Sequence, residues 1–143
     1  MDAPRIPLIL LVDDDARSGH ILARMLREDG YAAELALDGP TAIARLSREP
    51  VPDVLVTEMN LPIVDGLTVA RYARSRRAAF PVLVVTGYPE LARAPHIVGA
   101  PPLVFTKPLD YRQLAAALRR SLHVPASRPP SRVRPTARAT RDG

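Results

Sequence analysis

The sequence predicts an α/β fold: a doubly wound, five-stranded parallel sheet in three layers, helix–sheet–helix. Three observations predict it. Short apolar, β-branched runs lack polar alternation, which is how strands buried on both faces read. Residues 8–12 are LILLV, 54–57 are VLVT and 82–85 are VLVV. Segments with helical apolar spacing alternate with these runs, as in folds that cover a parallel sheet with helices. The links between them are short, which suits right-handed crossovers.

The elements follow in order. Residues 1–7 are a short leader and 8–12 the first strand. Residues 16–29 read as a helix, with Ile21, Leu22, Met25 and Leu26 at three-to-four spacing and Gly30 placed to end it. Residues 31–37 are a second strand. Gly39-Pro40 opens the next helix, Ile43 and Leu46 carry its apolar face, and Pro50 and Pro52 stop it. The third strand runs to Glu58. A helix over 66–77 follows, then a fourth strand over 81–86. The fourth helix, within 88–98, holds Pro89 and Pro95, and the second proline breaks a helix interior; one or two turns are expected. Residues 103–105 form a short, buried fifth strand. Asp110 caps a final helix to 122, with Gln113 completing a capping box and Leu114, Leu118 and Leu122 as its stripe. Five strands and five helices give the flavodoxin-like order 2-1-3-4-5. A Rossmann-type half is the competing fold, but no Gly-x-Gly-x-x-Gly follows the first strand.

Composition narrows the class. The chain has 143 residues, 47% hydrophobic and 24% charged, which suits one ordinary globular core. It has no cysteine, so disulfides and zinc–thiolate sites are excluded. No apolar run is long enough to span a bilayer and no signal segment opens the chain, so a cytoplasmic protein is the default. Net charge is +5, with five arginines and one acid from residue 124 onward. That stretch also holds four prolines and no apolar period. The chain therefore divides into a domain over 1–123 and a disordered basic tail over 124–143. The tail has no aromatic residue to stack on bases, so only non-specific, salt-sensitive nucleic-acid binding would follow, and none is expected in function. His20, His96 and His123 lack metal-like spacing and read as surface residues.

The chain is organised around 53–66, DVLVTEMNLPIVDG. An apolar strand ends on the carboxylate of Glu58, Pro62 forbids its continuation, and Asp65-Gly66 starts a helix. Open α/β sheets place their sites at such carboxyl strand ends. Three other strands end in polar groups: Asp13-Asp14-Asp15, Thr86-Gly87 and Thr106-Lys107-Pro108. Asp15 reads as an acid at a helix N-terminus, where it complements the dipole. Lys107 is the only lysine in the chain.

Acid pair, central acid, hydroxyl and lysine, each at a strand end and in that chain order, resemble the receiver domain of two-component response regulators. The resemblance covers about residues 6–122. It implies that Asp13, Asp14, Glu58 and the backbone carbonyl of Asn60 hold Mg²⁺. It also implies that Thr86 and Lys107 contact a phosphoryl group. The main departure is Glu58, where the family has its phosphoacceptor aspartate. The extra methylene displaces the nucleophilic oxygens by more than about 1 Å, enough to cost on the order of 10²-fold. The longer carboxylate can instead reach Lys107. Metal binding is accordingly expected to be weak or lost. Val104 occupies the position of the family's aromatic switch, with Phe105 next to it.

The resulting expectation is a signalling module that acts by protein–protein contact without phosphorylation, not an enzyme. Its partner would be a histidine kinase or another signalling protein. The alternative is a conventional phosphotransfer receiver that accepts phosphate from a histidine kinase at the acidic site. Partner identity and oligomeric state are not readable from the residues.

Overall fold

The computed structural model describes residues 5–92 and 97–123. The expected disordered tail and His96 lie outside the described residues. The elements are β1 (Leu8–Val12), α1 (Ala16–Glu28), β2 (Ala32–Ala36), α2 (Gly39–Leu46), β3 (Val54–Glu58), α3 (Gly66–Arg76), β4 (Val82–Thr86), a 3-10 turn (Pro89–Ala92), β5 (Leu103–Thr106) and α4 (Tyr111–His123). All five strands are parallel, in the predicted order β2-β1-β3-β4-β5.

The register aligns the strand ends. Val12 stands opposite both Ala36 and Thr57, Glu58 opposite Val85, and Thr86 opposite Thr106. The polar residues that follow each strand therefore emerge at one edge of the sheet. On one face, Leu10, Val12, Leu55, Val82 and Val84 pack with Ala42 and Leu46 of α2 and with Val69, Ala70 and Ala73 of α3. On the other, α1 lays Gly19 against Leu35 of β2, where a Cβ would lie 2.7 Å from a Leu35 methyl.

Local signals set the helix starts. The Asp15 side chain accepts from the Arg17 and Ser18 N–H groups, Asp38 from Thr41 N–H and Asp65 from Thr68 N–H. Each satisfies a donor that the first helical turn leaves unpaired. Gly30, with φ of 100°, follows the end of α1.

Some details differ from expectation. The α1 residues that are buried are Gly19, Ala23 and Leu26, while Ile21 is exposed. The stripe follows the 19–23–26 spacing, and Ile21 falls on the opposite side of the helix. Between β4 and β5 the described residues hold one 3-10 turn and no α-helix, so four α-helices are present among the described residues instead of five. Pro89 opens that turn, and Pro95 lies outside the described residues. The β5 strand was expected to be buried, but it is the sheet's edge strand, and Leu103 and Val104 are 45% and 38% exposed.

By contact the chain falls into two units, residues 1–110 and 111–143. In the second, α4 buries Leu114, Ala115, Ala117 and Leu118. Leu114 and Leu118 are two of the three predicted stripe positions; Leu122 is half-buried.

Two buried arginines in the first unit organise loops. Arg45 pairs with Glu34 at 2.6 Å and donates to the Arg48 and Pro50 carbonyls. Among the described residues, Arg74 forms no ion pair. It donates to the carbonyls of Phe80, Val98 and Ala100 at 2.6, 2.6 and 2.7 Å. Burial pulls its pKa down, while three dipoles solvate the charge in place of water. Arg74 thereby ties the chain that enters β5 to α3.

Candidate functional site

The site is built on the carboxyl ends of β1, β3, β4 and β5. Glu58 is the last residue of β3 and is 7% exposed. Its carboxylate oxygen Oε2 accepts from the Met59 N–H at 3.1 Å. Its other oxygen, Oε1, is ion-paired with the Lys107 ammonium. Lys107 reaches it from the end of β5, where its backbone N–H donates to the Thr86 carbonyl at 2.9 Å. The Lys107 side chain remains 44% exposed.

The chain turns sharply after Glu58. Gly66 donates its N–H to the Met59 carbonyl at 2.8 Å. A Cβ at Gly66 would run into the Glu58 carbonyl oxygen. Glycine at the start of α3 thus lets the helix approach the end of β3, and that approach fixes the Glu58 backbone. Asn60 is exposed in the loop that follows.

Asp13 is half-buried, and its Oδ1 accepts from the Asp15 N–H at 2.9 Å. Burial pushes the Asp13 carboxyl up, and Glu58 and Asp14 add to this; the Asp15 N–H and Lys107 oppose it without reversing it. Burial acts to lower Lys107, but the hydrogen bond and charge of Glu58, with Asp13 and Asp14, raise it overall. Asp14 and Asp15 are exposed. Thr86 is fully buried and its hydroxyl accepts from the Tyr88 N–H at 2.9 Å; the Tyr88 side chain is exposed at the same edge.

The structure therefore brings Glu58 and Lys107 into contact, and places Asp13, Asp14, Thr86 and the Asn60 loop at the ends of neighbouring strands. Asp53 lies apart, before β3. It accepts from the Leu8 N–H at 2.7 Å and pairs with Arg5 at 2.8 Å, which pins the start of β1. Sequence reasoning gave Asp53 no role. The residues it missed are Gly66, whose signal was its place directly after the Asp65 cap, and Arg74, which had none.

A family model described as response regulator receiver domain matches residues 9–119. The chain belongs to the response regulator receiver domain family. Among curated relatives, it is 44% identical to the response regulator MprA of Mycobacterium leprae over 78 residues, 54% of this chain and 34% of MprA. It is 32% identical to the transcriptional regulatory protein ZraR of Salmonella typhimurium over 115 residues, 80% of this chain and 26% of ZraR. The chain thus spans about a third or less of the length of these relatives. Among solved structures, the signal receiver domain of an HD domain-containing protein from Pseudomonas fluorescens Pf-5 superposes with a TM-score of 0.74 at 29% identity. That match covers 83% of this chain and 96% of the other.

Receiver domains serve two-component signalling and interact with histidine kinases and other signalling proteins. Among the described residues no helix is long and apolar enough to cross a membrane.

Receiver domains generally bind Mg²⁺ at the acidic site, and an ion of this kind wants oxygen ligands with free lone pairs. The side chains as arranged do not fit it. Both Glu58 oxygens are engaged, one by a cation. No group of three or more carboxylates or histidines among the described residues is gathered to hold a metal.

Proposed function

We propose that this receiver signals by protein–protein contact without being phosphorylated, and that Glu58 stands where the family carries its phosphoacceptor aspartate. The observation that carries this reading is the Glu58–Lys107 ion pair. The pair engages the carboxylate that would attack phosphorus and the lysine that would stabilise the product. A carboxylate held by an ammonium and by the Met59 N–H is a poor nucleophile, since both of its oxygens already share electron density with donors. The pair also places a carboxylate oxygen against Lys107, where a phosphoryl oxygen would sit in a modified receiver. Glu58 in this reading holds the active-like arrangement permanently. The partner is a signalling protein, with a histidine kinase as one such class. Asp13, Asp14 and Thr86 keep structural places at the edge, and no metal-dependent step is invoked.

The test is incubation of the full chain with a small phosphodonor and Mg²⁺, followed by intact mass. The wild type should show no hydroxylamine-labile adduct. Glu58→Asp, whose shorter side chain frees Lys107, should acquire one. An adduct on the wild type would refute the reading and support conventional phosphotransfer.

A further inference from the structure

The misfit of this site toward Mg²⁺ has a definite source, the Lys107 ammonium. It contacts Glu58 Oε1, and the charges of Asp13 and Asp14 act on it as well. Lys107 in turn acts on the Asp13 carboxyl, which also feels the charges of Glu58 and Asp14. One ammonium thus answers three carboxylates. It comes from the only lysine in the chain.

The contact is held from both sides. Glu58 ends β3, where the close approach of Gly66 fixes its backbone, and its side chain is 8% exposed. A carboxylate so far removed from water is strongly destabilising once its cation is taken away. Lys107 follows β5, and its backbone N–H donates to the Thr86 carbonyl at 2.9 Å. The ammonium therefore extends from a point tied into the sheet, toward a carboxylate that cannot retreat.

A divalent ion would compete for the same oxygens. Mg²⁺ takes oxygen ligands in near-octahedral geometry and gives up its water reluctantly. At Glu58 it would meet a like charge in contact with that carboxylate, in a place where water screens poorly. With Glu58 committed, the remaining acids are Asp13, with Oδ1 already accepting from the Asp15 N–H, and the exposed Asp14.

We propose that Lys107 is the resident cation of this site: its ammonium stands in for the divalent ion and keeps the site closed to it. A divalent-ion site formed by Asp13, Asp14 and Glu58 is latent in the chain, and loss of the ammonium opens it. The proposal rests on the Glu58–Lys107 contact and not on phosphorylation independence.

The test is titration of the full chain, ¹⁵N-labelled, with Mg²⁺ at constant ionic strength. Lys107→Met should bind Mg²⁺ at least about tenfold more tightly than the wild type, because a like charge has left the neighbourhood of the ion. The amide signals of residues 13–15 and 58–60 should shift saturably. Lys107→Arg keeps the charge and should stay as closed as the wild type. Adding Asp13→Asn to Lys107→Met should abolish the gain, which separates the latent site from scattered surface acids. Mg²⁺ should raise the melting temperature of Lys107→Met and leave that of the wild type at its value in NaCl of equal ionic strength. The wild-type melt decides even where a variant fails to fold: stabilisation by Mg²⁺ beyond the NaCl control would overturn the proposal. So would equal Mg²⁺ affinity in the wild type and Lys107→Met, an equal gain in Lys107→Arg, or a Lys107→Met that melts cooperatively and binds no ion. No phosphodonor is present in these samples, so they judge the cation alone, whereas the adduct assay judges phosphorylation independence alone.

Discussion

Replacing Lys107 with methionine isolates the ion pair at the centre of the site. The stem is retained and the ammonium removed, which leaves the Glu58 carboxylate accepting from the Met59 N–H at 3.1 Å. Breaking a fully buried pair costs about 3–5 kcal/mol, and an exposed one contributes about 0–1. Here the Glu58 side chain is 8% exposed and that of Lys107 44%, so water screens one member only. A loss of about 2 kcal/mol at pH 7 is expected, between those limits. In urea this lowers the midpoint by about 1 M. The loss should depend on pH with a definite sign. The Lys107 pKa is raised above its ordinary value of 10.5. Stability tied to its charge is therefore full below 10.5 and disappears as pH climbs through the raised folded value. The wild type should lose its advantage over Lys107→Met in that alkaline window, while groups common to both proteins cancel in the difference. Equilibrium unfolding of both proteins at pH 7 and at successive alkaline pH values makes the comparison. A double-mutant cycle with Glu58→Gln separates the pairwise contribution from lost packing. Equal stability at pH 7, or a deficit that stays constant through the alkaline range, would refute the reasoning.

Other sites give shorter predictions. Asp13→Asn should stabilise the protein at neutral pH by under about 1 kcal/mol, because burial raises the Asp13 carboxyl and its charged form is disfavoured in the fold. The gain should vanish as pH falls below the ordinary carboxylate range, and thermal melts across pH check the sign. Arg74→Met should cost about 2–3 kcal/mol by stripping three carbonyls of their donor, and amide exchange should quicken first near residues 98–100. Gly66→Ala should destabilise by about 2 kcal/mol or more, because the new methyl meets the Glu58 carbonyl; the amide signals of Glu58 and Met59 should move most. Asp53→Ala should cost about 1–2 kcal/mol through the lost Leu8 and Arg5 contacts, with the adduct assay unaffected.

Local chemistry was legible in the residues because its causes are local. Unalternated apolar runs forecast β1, β3 and β4, since a strand covered on both faces has no position left for a polar residue. Asp15 and Asp65 announced the starts of α1 and α3, and Pro89 announced that the described residues before β5 hold only a short turn. The strand ends that carry Asp13, Glu58, Thr86 and Lys107 were readable too, because each is a switch from apolar to polar within a few residues. What only the tertiary structure decided concerns partners distant in the chain. Whether Glu58 reaches Lys107 depends on the register that sets β3, β4 and β5 side by side. The burial of Arg74 among three carbonyls, the exposure of β5 and the outward face of Ile21 depend on which surfaces neighbouring elements cover. The positive φ of Ile63 is the clearest case. An isoleucine announces extended or helical backbone by its own preference, and here the pinned neighbours Leu61, Val64 and Asp65 overrule it. A residue's intrinsic preference is settled within a few bonds, whereas its final environment is settled by chains that meet only after the sheet has formed.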